Sequence, residues 1–400
     1  MAEEQRRPVV TVCGGGNAAH VAVGMFTTQG ADVNLFFSFE EEARKFRKGC
    51  ERTGGVTVNT KDGSYKAMPK AISNDPAEVI PDSDLILLIT PAFAHEPILK
   101  EIAPHLHDGA FVGAIPGPGG FNMLAKHVLG DLMQKKNVTL FGAGALPWVC
   151  RFTEYGSSVD LQSEKANIFV SYEPHTEKTW KRLGPLLNQL HKNTTFLSDG
   201  HFLTITMWCT NAVIHPAITY GIWRDWDGKP VAEQPLFYQN CDEFTGNVLQ
   251  TISDEVKACR DVIVSRTDAD LSQWQPIDEY TIDAYGDNVK DRSSTARIFA
   301  SNFAYRGLKA PCKQLDDGTF MPNFHTRYLT DDLPHGLCVM RGIADICGVK
   351  TPMMDKVILW AQEKIGHEYI VDGKLQGKDV AHSGCPQRFG IKTVEELVAF

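Results

Sequence analysis

The sequence predicts an N-terminal α/β domain built on a parallel sheet, followed by an all-α C-terminal domain. In the first half of the 400 residues, short β-branched runs alternate with helical patterns, as they do in βαβ units. After about residue 200, helical periodicity replaces them. We therefore expect two domains, residues 1–200 and 201–400, with the boundary in the stretch 193–200.

Five apolar, β-branched runs are the candidate strands of the first domain: residues 9–13, 32–37, 85–90, 111–115 and 139–141. Residues 85–90 read Leu-Ile-Leu-Leu-Ile-Thr. Such a continuous apolar run is typical of a strand that helices cover on both faces. We therefore place it in the centre of the sheet.

Three helices of the second domain show the clearest periodicity, over residues 241–265, 336–347 and 352–365. Thr351 is expected to be the N-cap of the third, with Pro352 in its first turn, and Gly348 ends the helix before it. Residues 393–396, Thr-Val-Glu-Glu, form a capping box. The apolar stretch 202–223 contains too many polar residues for a lipid-facing span, and we expect one buried helix there.

The composition excludes several classes of function. The net charge of −9 speaks against a basic surface that binds nucleic acid. The ten cysteines show neither CxxC pairs nor zinc-ligand spacing, so we expect free thiols in a reducing compartment and no metal site. The first residues lack the apolar core of a signal peptide. We expect a cytoplasmic protein without nucleic-acid or membrane partners.

Residues 9–20 contain the strongest local motif, a strand that runs through three consecutive glycines into a helix. Gly14, Gly16 and Ala19 match G-x-G-x-x-A. The first glycine allows a tight turn, the second lets a pyrophosphate approach the backbone, and the small third residue lets the helix pack on its strand. With Asn17 and Ala18 they form the candidate dinucleotide site. The alternative is an ordinary tight turn.

The choice of coenzyme depends on the end of the second strand, where an acidic residue usually binds the ribose. Phe37 and Ser38 stand there instead, and we expect them to line the site. A neutral strand end would also accept NADP, with Arg44 and Lys45 as phosphate partners. Because the three glutamates at 40–42 would repel a 2′-phosphate, we expect NADH.

Two loops follow predicted strands at the edge of the sheet where open α/β folds bind ligands. Pro91, Ala92 and Phe93 follow the central strand, so we expect them beside the cofactor. Residues 115–121 follow the next strand and are rich in proline and glycine. For both loops the alternative is an ordinary proline-rich connection that binds no ligand.

Reduction of a carbonyl or an imine needs a proton donor and usually a cation that holds a substrate carboxylate. His215 lies in the apolar stretch directly before Pro216, which disturbs a helix backbone. It is either an acid/base group or a buried histidine without a catalytic role. Arg327 is either a carboxylate clamp or a solvated arginine. Asp331 or Asp332 stands where it would stabilise the N-terminus of the next helix as a cap. Sequence spacing alone does not pair Asp332 with His215.

Nine short motifs are spread in order over nearly the whole chain. They are CGGGN (13–17), TPAFAHE (90–96), LPWVCR (146–151), HPA (215–217), WDGKP (226–230), PLFYQ (235–239), RYLTDD (327–332), WAQEKIG (360–366) and CPQR (385–388). Together they resemble the invertebrate opine dehydrogenases. The combination is far more specific than the glycine turn alone.

The resemblance implies a Rossmann domain followed by a helical domain. It also implies a reaction in which NADH reduces the imine formed from pyruvate and the amino group of an amino acid or of taurine. His215 would be the acid/base group, Asp332 would orient and charge it, and Arg327 would hold the pyruvate carboxylate. Such an enzyme regenerates cytosolic NAD when glycolysis outruns oxygen, and the resemblance points to a monomer.

The resemblance also implies which residues line the amine pocket: Pro118, Cys150, Cys209 and Trp274. None of them is acidic, whereas a guanidinium would need a carboxylate partner. We therefore expect a small amine, such as alanine, glycine, β-alanine or taurine, rather than arginine.

Two other functions are compatible with the same residues. A 2-keto or hydroxyacid reductase would use the glycine turn and the histidine–arginine set without any amine. A non-catalytic sensor would bind the dinucleotide and change conformation, which a partner would then recognise.

Overall fold

The computed structural model describes residues 6–117 and 119–400, so Pro118, one of the expected amine-pocket residues, lies outside the described residues. The chain forms two compact units, Met1–Ile205 and Thr206–Phe400. The first is an α/β unit and the second is mainly helical, which confirms the predicted fold class.

The first unit alternates strands and helices along the chain. Its strands are β1 (Val9–Cys13), β2 (Asp32–Phe36), β3 (Val56–Thr60), β4 (Gly63–Ala67), β5 (Ala71–Ser73), β6 (Leu85–Leu88), β7 (Phe111–Ala114), β8 (Thr139–Ala143), β9 (Trp148–Glu154), β10 (Ser158–Glu164), β11 (Asn167–Glu173) and β12 (Thr195–Ser198). Its helices are α1 (Asn17–Thr28), α2 (Glu40–Thr53), α3 (Pro76–Val79), α4 (His95–Ile102), α5 (Phe121–Leu129), α6 (Leu132–Lys135) and α7 (Glu177–Leu190), and α8 (Phe202–Thr206) follows at the boundary.

The main sheet has the order β12-β11-β8-β7-β6-β1-β2-β5. Neighbouring strands are parallel except β11, which pairs antiparallel with β8. Strand β6 lies between β1 and β7, and each of its residues is fully buried. The prediction of a central strand here is therefore confirmed.

A second sheet, β4-β3-β10-β9, was not predicted from the sequence. It packs against α1, where a Cβ on Gly24 would lie 2.3 Å from Val58 Cγ2, so only glycine allows this close approach. The backbone N–H of Phe152 on β9 donates to Asn17 Oδ1 at 2.9 Å. This sheet therefore lies against the start of the helix that follows the glycine turn.

The second unit is built from helices and two short hairpins. Its helices are α9 (Asn211–Trp223), α10 (Glu243–Arg266), α11 (Ile277–Tyr285), α12 (Thr295–Ala300), α13 (Arg327–Thr330), α14 (Cys338–Cys347), α15 (Pro352–Ile365) and α16 (Val394–Ala399). The hairpins pair β13 (Cys312–Gln314) with β14 (Phe320–Pro322) and β15 (Ile370–Val371) with β16 (Lys374–Leu375). A π-helical turn, Leu333–Leu337, leads into α14.

The prediction of one continuous helix over residues 202–223 is wrong, because the helix breaks between α8 and α9. The Trp274 indole N–H donates to the Met207 carbonyl in this break at 2.8 Å. A partner 67 residues away thus satisfies a backbone group that local periodicity would assign to a helix. Among the described residues, no helix combines the length and the apolar character that crossing a bilayer requires.

Of the two predicted N-terminal caps, one is absent and one is present. Thr351 stands at the N-cap position of α15, but its side chain makes no capping hydrogen bond. The buried Glu255 carboxylate of α10 instead accepts from the Met353 and Met354 N–H groups at 2.8 and 3.0 Å. The predicted capping box of Thr393 and Glu396 is present.

Acid is expected to destabilise the first unit through three buried histidines. Burial lowers the pKa of His20, His95 and His191 to about 4, whereas an unfolded histidine titrates near 6.5. The native state therefore binds fewer protons, and stability that is full above pH 6.5 falls as the pH drops towards 4. Between pH 7.5 and 5 each histidine should remove about 2 kcal/mol from the free energy of unfolding.

Urea unfolding at the two pH values tests this expectation. His191→Gln should show a smaller loss of unfolding free energy between pH 7.5 and 5 than the wild type. His175→Gln is the matched control, because His175 is exposed in the same unit and should leave the loss unchanged. An equal loss in all three proteins would contradict the assignment.

Candidate functional site

The glycine turn joins the ends of three neighbouring strands. The Gly14 N–H donates to the Phe36 carbonyl at the end of β2 at 2.9 Å. Gly14 has a φ of +109°, and a Cβ there would lie 2.6 Å from Thr90 Cγ2, just beyond β6. The position therefore requires glycine for both its backbone conformation and its close contact.

The next two glycines lie at the start of α1 in different surroundings. A Cβ on Gly15 would collide with the Phe37 ring at 2.4 Å, whereas a Cβ on Gly16 would meet nothing within 4 Å. Gly16 is the N-cap of α1, whose first turn has neither a side-chain cap nor an acidic residue. Uncapped N–H groups at the positive end of a helix, approached over a bare glycine, fit a pyrophosphate. Ala18 and Ala19 are buried behind them.

His20, which sequence reasoning missed, holds this turn from behind. Its Nδ1 lies 2.8 Å from the Gly16 carbonyl oxygen, and the Gly156 N–H donates to its Nε2 at 2.8 Å. Nε2 therefore carries the lone pair and Nδ1 the proton. Together with the bond from Phe152 N–H to Asn17, this fixes the β9–β10 hairpin to the turn.

The end of β2 carries the residues expected near the ribose. Phe37 is buried, with its ring against Gly15, and the Ser38 hydroxyl donates to Glu101 at 2.9 Å. Both basic residues that were considered as phosphate partners are engaged by Glu41. Arg44 donates to both of its carboxylate oxygens, and Lys45 Nζ lies 3.4 Å from Oε1.

The loop after β6 contains Pro91, Ala92 and Phe93, the remaining predicted cofactor residues. Pro91 precedes a 3₁₀ turn over Ala92–Ala94, and Phe93 is 63% exposed. Thr90, next to Pro91, contacts Gly14 as described above. The loop is therefore adjacent to the glycine turn, with an aromatic side chain in solvent.

In the second unit the structure brings His215 and Asp332 together across 117 residues. His215 Nδ1 and Asp332 Oδ2 are 2.7 Å apart, and the side chains are 4% and 18% exposed. Because an ionised carboxylate only accepts, Nδ1–H is the donor to Asp332, and Nε2 is left for another partner. The alternative use of Asp332, as a cap for the next helix, is not realised, since its side chain makes no capping bond.

Close packing of the π-helical turn on α9 produces this pairing. A Cβ on Gly336 would lie 2.4 Å from Ala212 Cβ, so a larger residue would push the turn away from α9. Asp332 stands directly before the turn, and His215 lies one helical turn after Ala212. The absent side chain at 336 thus helps to set the distance between the carboxylate and the imidazole.

Aromatic rings enclose the imidazole. The Tyr328 ring stacks on it at 3.8 Å between centroids and 12° between planes, and the Tyr238 hydroxyl lies 3.3 Å from Nε2. Burial raises the pKa of Tyr238 well above its usual value. Sequence reasoning gave neither tyrosine a role, although both stand in motifs, 235–239 and 327–332, that carry the family resemblance.

Arg327 opens α13, the single helical turn before Asp332. Its backbone carbonyl accepts from the Asp332 N–H at 3.0 Å, and its side chain is exposed. Its charge opposes the rise in the pKa of Tyr238 and Tyr328, where burial is the larger effect. The guanidinium is therefore close enough to act on the groups that surround His215.

The described amine-pocket candidates do not all lie in one unit. Cys209 and Trp274 belong to the second unit, and the bond from the Trp274 indole to Met207 places both at the break before α9. They are 1% and 6% exposed. Cys150 is half-buried on β9 of the first unit.

Comparison with known proteins identifies the family. A family profile described as NAD/NADP octopine/nopaline dehydrogenase, alpha-helical domain, matches residues 198–365. Octopine dehydrogenase of Pecten maximus is 38% identical over 97% of this chain and 98% of its own. Tauropine dehydrogenase of Arabella iricolor is 36% identical over 98% of this chain and 100% of its own.

Solved structures agree with these relatives. Octopine dehydrogenase with NADH and L-arginine has a TM-score of 0.90 at 36% identity, over 98% of both chains. The same enzyme with NADH and pyruvate has a TM-score of 0.86 at 36% identity, over 98% of this chain and 97% of that one. The chain shares the fold of these enzymes and is more than 35% identical to them over nearly its full length. It therefore belongs to the opine dehydrogenases, a family of NAD-dependent oxidoreductases.

Proposed function

We propose that this protein joins the amino group of a small amino acid or of taurine to pyruvate and reduces the resulting imine with NADH. The observation that carries the proposal is the buried His215–Asp332 pair with Arg327 five residues before the aspartate. These are an acid/base group, its orienting carboxylate and a cation for a keto-acid carboxylate. The relatives named above are an octopine dehydrogenase and a tauropine dehydrogenase, which supports the same class of reaction for this chain.

The chain's own groups divide the work as follows. Asp332 accepts from Nδ1–H, which directs the Nε2 lone pair of His215 towards the reacting proton and stabilises the imidazolium once it forms. Arg327 binds the pyruvate carboxylate with its planar pair of N–H donors. The N–H groups that open α1 at the glycine turn would hold the pyrophosphate of NADH, which would supply the hydride when bound.

The charges near the ribose end support NADH over NADPH. Glu41 forms ion pairs with both Arg44 and Lys45, the two cations that could meet a 2′-phosphate. Glu40 and Glu42 add negative charge in the same helical turn. The three glutamates outnumber the two cations, so a 2′-phosphate there would face a net negative charge.

The pocket residues support a small amine. Trp274 has its only polar group occupied by the Met207 carbonyl, and neither it nor Cys209 or Cys150 supplies a carboxylate. None of these side chains could itself pair with a guanidinium. The identities to octopine and tauropine dehydrogenases, 38% and 36%, are too similar to decide between the two amines.

An initial-rate panel tests substrate and coenzyme together. Alanine, glycine, β-alanine, taurine and arginine would each be combined with pyruvate and with NADH or NADPH. We expect NADH oxidation only when pyruvate and an amine are both present, with a small amine faster than arginine. Full-rate reduction of pyruvate without amine would indicate a keto-acid reductase, and tight NADH binding without any turnover would indicate a sensor.

We place the enzyme in the cytosol as a monomer, where its reaction would regenerate NAD when glycolysis outruns oxygen. The support is the resemblance of its motifs to invertebrate opine dehydrogenases. Sedimentation velocity of the purified protein would test the monomer, since a stable dimer would sediment at about twice the mass of 44.3 kDa.

A further inference from the structure

The reactive nitrogen of His215 already has a neighbour in the structure. Tyr238 Oη lies 3.3 Å from Nε2, while Asp332 occupies Nδ1. Each imidazole nitrogen offers one in-plane direction for a hydrogen bond. The Nε2 direction therefore points at the tyrosine hydroxyl.

Neither ring is free to turn away. The imidazole is stacked on Tyr328 and held at Nδ1. Tyr238 is 7% exposed and stacks on Tyr305 at 4.0 Å between centroids and 15° between planes. It also meets Phe237 edge-on at 4.9 Å between centroids. The hydroxyl should therefore stay beside Nε2 throughout the reaction.

We propose that Tyr238 relays the proton between His215 and the substrate, an inference that rests on the proposed function. The imidazolium Nε2–H bond breaks as its proton passes to the phenol oxygen. The original phenolic O–H bond breaks at the same time, and its proton forms a new bond to the imine nitrogen of the condensed substrate, which becomes an iminium. One proton and one positive charge thus move from imidazole to substrate, and oxidation of the opine uses the same relay in reverse.

The electrostatics of Tyr238 favour a concerted transfer. Burial raises the pKa of its hydroxyl most, and neighbouring Tyr328, Tyr285 and Asp332 add to the rise, while Arg327 opposes it. A phenolate would therefore be costly, so the proton should leave as its replacement arrives. The phenol is neutral before and after the step.

Tyr238→Phe tests the relay because it removes the hydroxyl and keeps the ring. We expect kcat for NADH oxidation, with pyruvate and the fastest panel amine, to fall roughly 100-fold or more, which is within the usual range for proton-transfer catalysis. The NADH dissociation constant, measured by fluorescence, should not change. Tyr305→Phe is the matched control from the same aromatic stack and should keep most of the activity.

A proton inventory on the wild type does not depend on any variant folding. Single-turnover rates of NADH oxidation in mixed H2O and D2O should curve with the deuterium fraction, because two protons move together. A linear inventory would overturn the relay. Equal kcat values for Tyr238→Phe and Tyr305→Phe, measured beside an active wild type, would also overturn the relay. A wild type that is inactive with every amine and coenzyme of the panel would overturn the proposed function as well.

Discussion

His215→Ala is expected to lower kcat roughly 100- to 10,000-fold, the usual contribution of a positioned acid/base group. The variant loses the Nε2 nitrogen that we propose exchanges the proton, and it leaves the Asp332 carboxylate without its partner at 2.7 Å. Because the glycine turn lies in the other unit, the NADH dissociation constant should stay within about twofold of the wild type. Steady-state NADH oxidation and fluorescence titration measure the two quantities.

The second unit offers a matched control for this variant. His367 and Asp379 also form a histidine–aspartate pair, at 3.5 Å, but the His367 side chain is 45% exposed. His367→Ala should therefore leave kcat nearly unchanged. Similar losses of kcat in His215→Ala and His367→Ala would contradict a catalytic role for His215.

Arg327→Gln is expected to raise the KM for pyruvate by about 100-fold or more. A bidentate guanidinium makes two charge-assisted hydrogen bonds to a carboxylate, each contributing about 1.5–3 kcal/mol, and about 1.4 kcal/mol corresponds to tenfold in affinity. Arg327→Lys keeps the charge but loses the planar pair of donors, so its KM should lie between those of the wild type and the glutamine variant.

Varying pyruvate and amine separately identifies which substrate the guanidinium binds. Arg306→Gln, an exposed arginine elsewhere in the same unit, is the control and should change neither KM. If Arg327→Gln raised the KM of the amine and not that of pyruvate, the carboxylate assignment would be wrong.

Several predictions succeeded because the signal was local. The strand and helix around the glycine turn were predicted from residues 9–20, and the central strand β6 from its continuous apolar run. The capping box at Thr393 and Glu396 spans four residues and was also predicted. In each case neighbours in the chain supply the hydrogen bonds or the periodicity.

Other predictions failed where a distant residue supplied a hydrogen bond. The helix expected over 202–223 breaks where Trp274 binds the Met207 carbonyl, and Glu255 does the capping expected of Thr351. Tyr238 was missed for the same reason, since nothing near it in the chain relates its hydroxyl to a histidine 23 residues earlier.

The sequence by itself determined the strand, glycine turn and helix at residues 9–28, the order of the α/β and helical parts and, through its motifs, the family. Those properties depend on residue type and on spacing over a few residues. The resemblance implied that Asp332 belongs with His215, but only the tertiary structure shows their 2.7 Å contact and places the Tyr238 hydroxyl beside Nε2. The reason is steric, because the missing side chain of Gly336 lets the turn after Asp332 pack on α9. Local sequence patterns cannot reveal such packing between segments that are more than a hundred residues apart.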